Sequence, residues 1–172
     1  MKLRNRFEYD FPLDTVLKVT HYDLVYSLEK YRDLMELKDV KLTHFKEHAD
    51  GRQEAEHSFS AYDEIPGFAR ALVSPNMLSW KQVSKWNPRD MTFSFEIIPA
   101  VFRKSFMCRA VWKYSRKKGK VVRKLEGRLD VKIPVIGPMI EKYIAGRIYE
   151  GQRKMNRKFV AQMKEEAAAG VK

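Results

Sequence analysis

The sequence predicts an α+β fold, with a curved antiparallel sheet wrapped around one long C-terminal helix. Apolar and polar residues alternate along most of residues 40–133, which is typical of strands with one buried face. From Met139 to about Ala168 the apolar residues instead recur at helical spacing. The chain has 172 residues, 44% of them hydrophobic, so we expect a single domain, residues 1–172, with a substantial core.

The N-terminal region combines one strand with two short helices. Residues 2–11 predict a strand because Leu3, Phe7 and Tyr9 fall on one side of it. Pro12 suits the first position of a helix, where its missing N–H would be unpaired in any case. Helical spacing of apolar residues then predicts helices over about 12–19 and 22–35.

About six antiparallel strands follow. Ala49-Asp50-Gly51 indicates the first hairpin, and Asn87-Pro88-Arg89-Asp90 indicates a later turn. Residues 65–76 read as irregular or weakly helical, and alternation resumes from Leu78 to Trp86. Pro134 ends the last strand, and Pro138 can open the long helix, which is predicted over about 138–168.

This order of elements is the helix-grip arrangement, and it resembles the START-like superfamily, also called the polyketide-cyclase or SRPBCC group. Residues 132–142, KIPVIGPMIEK, resemble the strand-to-helix junction of a bacterial START-like family of unknown function, although Pro138 replaces that family's second glycine. The segments Ile65-Pro66-Gly67 and Leu78-Ser79-Trp80 match the same family in position. A more distant likeness is to the PRELI-type lipid carriers. The resemblance implies a cavity between sheet and helix for an apolar or amphipathic molecule, and it supplies no catalytic residue.

Composition excludes several classes of protein. The one cysteine, Cys108, argues against a disulfide scaffold or a Cys-rich metal site, and it reads as a small core residue. The longest uncharged stretch, residues 71–80, is well short of the ~20 residues that span a bilayer. Alternation directly after the first residues is unlike a signal peptide. We therefore expect a soluble, cytoplasmic monomer without a cofactor.

Positive charge is concentrated in one predicted hairpin. Residues 103–132 carry twelve basic and two acidic side chains, within a chain of formal net charge +12. Alternation places these charges on the outer face of a two-stranded ribbon whose other face is apolar. Such a face either keeps the protein soluble or attracts an anionic partner. The residues predicted to contact an anionic membrane surface are Lys113, Lys117, Lys118, Lys120 and Lys124.

One apparent metal motif is rejected. His44-Phe45-Lys46-Glu47-His48 formally matches H-x-x-E-H, which needs a helix to bring both histidines onto one face. Here the segment continues a strand, where the two side chains would be ~13 Å apart at ~3.3 Å per residue. We expect no metal site at these histidines.

Candidate cavity residues come from the predicted inner faces. His57 lies between apolar neighbours, and a hydrogen-bonded core histidine is the favoured interpretation over a ligand contact. Gln82 and Ser84 either pair with each other or mark a cavity, and both interpretations stay open. The aromatic candidates are most simply core residues, although a large aromatic share also suits a cavity for a flat or long apolar ligand. The full candidate set is His57, Trp80, Gln82, Ser84, Phe93, Phe95, Trp112, Tyr114, Tyr143, Ile144 and Met155.

Arg123 interrupts an apolar row formed by Val121, Leu125 and Leu129. It could bind a carboxylate or phosphate in a bidentate manner. Its position near the tip of the hairpin favours a side chain in water instead.

We expect the protein to bind or transport a hydrophobic or amphipathic small molecule, a lipid above all, without catalysing a reaction on it. One alternative is a cyclase- or hydratase-type enzyme, for which His57, Tyr114 and Tyr143 are candidates without supporting spacing. Another is nucleic-acid or partner binding through the hairpin 103–132. A nucleic-acid binder would interleave stacking aromatics with its exposed cations, whereas Trp112 and Tyr114 are predicted on the opposite face.

Overall fold

The computed structural model describes residues 1–61, 67 and 79–169. Seven strands are present in this part of the chain: β1 Lys2–Tyr9, β2 Leu37–Glu47, β3 Gln53–Ala61, β4 Ser79–Asn87, β5 Thr92–Pro99, β6 Phe106–Lys117 and β7 Lys120–Val131. The helices are α1 Leu13–Leu17, α2 Asp23–Tyr26, α3 Leu28–Met35 and α4 Gly137–Ala169, with a π-helical turn at Lys18–Tyr22 and a 3₁₀ turn at Arg103–Ser105.

The seven strands form one antiparallel sheet in the order β1-β7-β6-β5-β4-β3-β2. Strands β2 to β7 are therefore neighbours in chain order, as tight hairpins favour, and β1 adds to the free edge of β7. The predicted α+β helix-grip fold is confirmed, and α4 matches the predicted C-terminal helix within one residue at each end.

The N-terminal helices differ from the prediction. The π-helical turn joins α1 to α2, so helical backbone continues through residues 20 and 21, where a break was predicted. The break comes instead at Ser27, whose φ of −129° and ψ of 76° are not helical. Strand β1 ends at Tyr9 rather than at residue 11. The predicted irregular segment lies outside the described residues apart from Gly67, as does Leu78.

Helix α4 packs on one side of the sheet. It contacts β1, β7, α1, α3 and the π-helical turn, and it buries Ala145, Phe159 and Met163. Its start is held against β7, because Glu141 Oε1 accepts a hydrogen bond from the Val131 backbone N–H at 2.8 Å. Gly137 is required there, since a Cβ at this position would lie 2.3 Å from the Val131 carbonyl oxygen.

We call β1, β6 and β7 the sealed half of the sheet. Their inner side chains include Leu3, Cys108, Leu125 and Leu129, each at most 1% exposed. Two strands approach closely at Gly127, where a Cβ would lie 2.4 Å from the Ala110 Cβ. Dense packing of this kind is what a stable core requires.

Candidate ligand-binding cleft

Strand pairing aligns the inner side chains of β3, β4 and β5, which we call the open half of the sheet. His57 lies opposite Gln82, which in turn lies opposite Ile97. In the adjacent row, Ser84 lies between Ala55 and Phe95. The register therefore brings four of the predicted cavity residues side by side.

Part of the open half is less completely covered than the sealed half, although the inner residues of β3 are buried. All eight residues of β5 are only half-buried, including the inward-facing Phe93, Phe95 and Ile97. Trp80 and Gln82 of β4 are also half-buried. Helix α4 packs chiefly against β1 and β7, away from these partly exposed inner faces of β4 and β5. We call this partly exposed surface the cleft.

One end of this cleft contains a small cavity. Its volume is about 10 Å³, which is about the space that one water molecule needs. It is lined by His21, Val25, Phe45, Gln53, Ala55, Ser84, Trp86 and Phe93.

A chain of hydrogen bonds runs past the cavity, from the buried His21 and Gln53 to the exposed Tyr26. His21 Nε2 lies 3.2 Å from Gln53 Oε1, and Gln53 Nε2 donates to the Tyr26 hydroxyl at 2.9 Å. The His21 ring lies against Trp86, with 4.6 Å between ring centroids. Burial lowers the pKa of His21 from 6.5 to about 4, so the imidazole is neutral at pH 7.

His57 is buried without a hydrogen bond. It is 6% exposed, and neither ring nitrogen has a partner in the described part of the chain. Its ring lies against those of Tyr31 and Phe59, at centroid distances of 6.4 and 5.8 Å, and burial lowers its pKa. The expectation of a hydrogen-bonded core histidine is thus wrong about the hydrogen bond, and two polar atoms remain available to a ligand.

Arg123 is also inside the protein. Its side chain is 7% exposed, so the favoured expectation of a residue in water is wrong. The physical reason is its register: residue 123 lies on the inner face of β7, between Tyr114 and Phe7. Its guanidinium lies over the Trp112 ring, 3.9 Å from the centroid, an arrangement that stabilises a buried cation.

The remaining predicted cavity residues fall in different places. Trp112 and Tyr114 are buried in the sealed half, where the Tyr114 hydroxyl lies 3.0 Å from Thr20 Oγ1. On α4, the half-buried Ile144 and Met155 pack against the core, and Tyr143 is half-buried. Cys108 is a buried core residue, as expected, and burial raises the pKa of its thiol to about 11.

Sequence reasoning missed His21, Tyr31 and Gln53 as members of the site. A signal was present for His21, because Leu17, His21 and Val25 follow at four-residue spacing and share a buried helix face. No comparable signal was present for Gln53, which begins a strand directly after a polar turn.

The five predicted lysines and the two histidines of the H-x-x-E-H segment lie on β2, β6, β7 and the adjoining turns. Lys113 and Lys124 are exposed on the outer face of β6 and β7, and Lys117, Lys118 and Lys120 are exposed at the turn between them. His44 lies in β2 as predicted, and His48 follows the strand, with Nε2 3.2 Å from Glu54 Oε1.

No helix in residues 1–61 or 79–169 has the length and hydropathy needed to cross a membrane. Within the same described residues, no three His, Cys, Asp or Glu side chains are grouped so that they could hold a metal ion.

Comparison with known proteins places the chain in a family. Residues 4–161 match the family described as Protein of unknown function (DUF2505). The chain belongs to this family. No curated protein matches the sequence.

Solved structures show that the fold is START-like. A START superfamily protein from Mycobacterium smegmatis is 16% identical with a TM-score of 0.58, over 94% of this chain and 98% of that one. Norcoclaurine synthase from Thalictrum flavum is 12% identical with a TM-score of 0.63, over 94% and 87%. The di-domain ARO/CYC StfQ of the steffimycin biosynthetic pathway is 13% identical with a TM-score of 0.61, over 97% of this chain and 51% of that one.

Proposed function

We propose that this protein binds and carries a hydrophobic or amphipathic small molecule, a lipid in the first instance, without catalysing a reaction on it. The observation that carries the proposal is the half-buried inner face of β5, continued by Trp80 and Gln82 of β4. This surface lies away from β1 and β7, against which α4 chiefly packs. Water against such a face is unfavourable, so an apolar ligand that replaced it would gain free energy.

Polar atoms at the same place could orient that ligand. His57 Nδ1 and Nε2 and Trp86 Nε1 are buried and have no hydrogen-bond partner in the described residues. An unsatisfied buried polar atom is costly, and a ligand hydroxyl or carbonyl group would relieve that cost. A few such atoms within an apolar lining are typical of small-molecule sites.

The structural comparison supports a site of this kind. The START-like fold suggests a ligand-binding domain, and the similar norcoclaurine synthase structure is a complex with dopamine and hydroxybenzaldehyde. The scaffold therefore accommodates small organic molecules in at least one relative.

The test is ligand retention followed by steric blocking. Native mass spectrometry of the purified protein, with solvent extraction, should reveal a co-purifying apolar molecule. The neutral dye N-phenyl-1-naphthylamine should also gain fluorescence on binding. Ile97→Trp fills the cleft from the inner face of β5 and should abolish dye binding.

The matched control is Ile98→Trp, the same substitution one residue along β5, which points to the opposite face. It should leave binding unchanged. Equal dye binding by wild type and both variants, or no binding by any of them, would refute the proposed site.

We also propose peripheral contact with an anionic membrane through the basic face of β6 and β7. Three like-charged pairs lie directly opposite each other, Arg109 with Arg128, Lys113 with Lys124 and Lys117 with Lys120. Like charges in this arrangement destabilise a sheet. Glu96, Glu126 and Asp130 compensate some of these charges from neighbouring positions, and anionic headgroups would compensate the rest.

Liposome co-sedimentation tests this contact. Anionic vesicles at low salt should bind the protein, and binding should weaken at physiological salt because surface charges are screened. One variant carries Gln at the five predicted lysines, Lys113, Lys117, Lys118, Lys120 and Lys124. The control removes five exposed lysines from β2 and β4: Lys38, Lys41, Lys46, Lys81 and Lys85.

Loss of binding in the hairpin variant alone supports the contact. Equal losses in both variants would mean that net charge, not this face, is responsible. Tighter binding to RNA than to vesicles of equal charge would favour a nucleic-acid partner instead.

A further inference from the structure

A buried cation without an anionic partner stands at the border between the sealed half and the cleft. Arg123 is 7% exposed, and no ion pair among the described residues includes it. Its Nε is buried and has no hydrogen-bond partner in the same residues. By contrast, Lys124, the next residue, is exposed and paired with Glu126.

The groups around Arg123 are aromatic or neutral. Trp112 lies 3.9 Å below the guanidinium carbon, and the Tyr114 and Phe159 rings are each 5.7 Å away. Tyr9 is close enough for hydrogen bonding to Arg123, yet burial raises the pKa of its hydroxyl, which stays protonated. Aromatic rings stabilise a cation partly, but they supply no negative charge.

Ring contacts link the surroundings of Arg123 to the cleft. Trp112, which lies against the guanidinium, is paired with Phe93 of β5. The Tyr114 ring, 5.7 Å from the guanidinium carbon, lies 5.9 Å from the Trp86 ring. Trp86 and Phe93 both line the small cavity, so one aromatic residue separates Arg123 from the cavity lining.

We propose that the ligand of this protein carries an anionic head group, a carboxylate or a phosphate, which pairs with Arg123. This assignment rests on the proposed function and adds the chemical class of the ligand. Trp112 lies against the guanidinium, 3.9 Å from its central carbon. A guanidinium presents its N–H groups as a planar fork, which matches the oxygens of a carboxylate or phosphate. The apolar body of the ligand lies along Phe93, Phe95 and Ile97.

The arrangement explains why an apolar row contains an arginine. A buried unpaired charge is tolerated when a ligand that the protein usually holds neutralises it. An apolar residue of similar size, such as methionine, would pack at this position without that cost. Arginine therefore provides ligand selectivity rather than stability.

The experiment displaces N-phenyl-1-naphthylamine with competitors that differ in their head group. Dodecanoate and dodecyl phosphate should displace the dye at concentrations at least about tenfold lower than dodecanol, because a charge-assisted pair in a buried site is worth that factor or more. Inorganic phosphate alone should not displace it, which separates an amphiphile from a free anion.

Two variants locate the effect. In Arg123→Met, dodecanoate and dodecanol should displace the dye at equal concentrations. Lys113→Met removes the same charge from the outer face of the neighbouring strand and should preserve the preference for dodecanoate. Arg123→Lys keeps the positive charge but lacks the planar guanidinium. It should reduce the preference for dodecanoate over dodecanol only in part.

The outcomes separate this inference from the proposed function. If the dye binds but dodecanoate and dodecanol displace it equally from the wild type, the anionic head group is refuted and the apolar site stands. That comparison uses only the wild type, so it holds even if Arg123→Met does not fold. If inorganic phosphate displaces the dye as well as dodecanoate does, the ligand is a free anion and the amphiphile is refuted. If no dye binds, the proposed function fails, and the anionic subsite fails with it.

Discussion

The two halves of the sheet are built from similar residues but packed differently. In the sealed half, Leu125 and Leu129 are fully buried under α4. In the open half, the inward-facing Phe93 and Phe95 remain half-buried although they are larger. The difference shows that one half of the sheet is a closed core, whereas the other keeps a partly exposed apolar surface.

The position of α4 accounts for this division. The helix contacts β1 and β7, at one edge of the sheet, and is anchored there through Glu141 and Val131. A helix of fixed diameter cannot seal seven strands at once. The strands beyond its reach therefore border the cleft.

The largest expected effect compares equal truncations in the two halves. Phe159→Ala removes a fully buried ring of α4 from the sealed half and should lower the free energy of unfolding by ~3–5 kcal/mol. Phe95→Ala in the open half should cost roughly half of that or less, because a half-buried ring loses fewer contacts. Trp80→Ala should behave like Phe95→Ala.

Urea unfolding of the three variants measures these differences. Equal costs for Phe159→Ala and Phe95→Ala would show that the open half is a solid core, and the division between the halves would then be wrong.

A second prediction concerns how tightly the sealed half is closed. A Cβ at residue 127 would meet the Ala110 Cβ at 2.4 Å and the Arg109 carbonyl oxygen at 2.6 Å. Gly127→Ala must therefore push β6 away from β7. It should lower the free energy of unfolding by about 3 kcal/mol, the upper end of the range for overpacking. Gly146→Ala is the control, because an added Cβ there meets nothing within 4 Å, and alanine favours a helix by up to ~1 kcal/mol. In thermal melting, Gly127→Ala should lower the melting temperature and Gly146→Ala should raise it.

The sequence predicted the fold better than the candidate site. Alternation assigns each residue to a face of a strand, and it placed Arg123 in line with Val121 and Leu125 correctly. It does not give depth, because depth depends on which strands α4 covers. A lone arginine near a turn was therefore expected in water, and the aromatic enclosure by Trp112 and Phe159 brings together distant parts of the chain that no local pattern reveals.

The helices show a related limit. Helical spacing predicted that residues 12–35 are largely helical, but not that a π-helical turn at Lys18–Tyr22 would carry the helix past residue 20. This turn places His21 toward Trp86 and Phe93. The helical pattern alone does not predict that His21 is buried, because the residues that cover it belong to distant strands of the sheet.

A third prediction uses pH to test the boundary at His21. The pKa of this imidazole is about 4 in the folded protein, against 6.5 ordinarily. Well above pH 6.5 the imidazole is neutral in both the folded and the unfolded state, so its titration does not reduce the free energy of unfolding. As pH falls from 6.5 toward 4, the unfolded chain binds a proton that the folded protein does not, and stability is lost. Between about pH 7.5 and 5 the loss should be about 2 kcal/mol.

Unfolding free energies at several pH values test this slope. His21→Gln should flatten most of it, whereas His44→Gln, at an exposed position of β2, should not. The lowered pKa of His57 adds a contribution of the same sign. A wild-type slope unchanged by His21→Gln would mean that His21 is open to water, and the boundary between the halves would have to be moved.

The smallest expected change in stability concerns Val135, in the junction between β7 and α4. It tests whether this junction belongs to the sealed half or to the cleft. Val135 is 91% exposed and has a φ of +67°, which is strained for a β-branched residue. Asparagine tolerates this conformation, so Val135→Asn should raise the free energy of unfolding by about 0.5–1 kcal/mol. Val111→Asn, at an exposed position of β6 with ordinary backbone geometry, is the control and should gain nothing. If the junction only connects the sealed half to α4, dye affinity will not change in Val135→Asn. If Val135→Asn gains the predicted stability but binds the dye with a changed affinity, the strained junction is part of the route into the cleft. The reason is that backbone strain is retained where a segment must move.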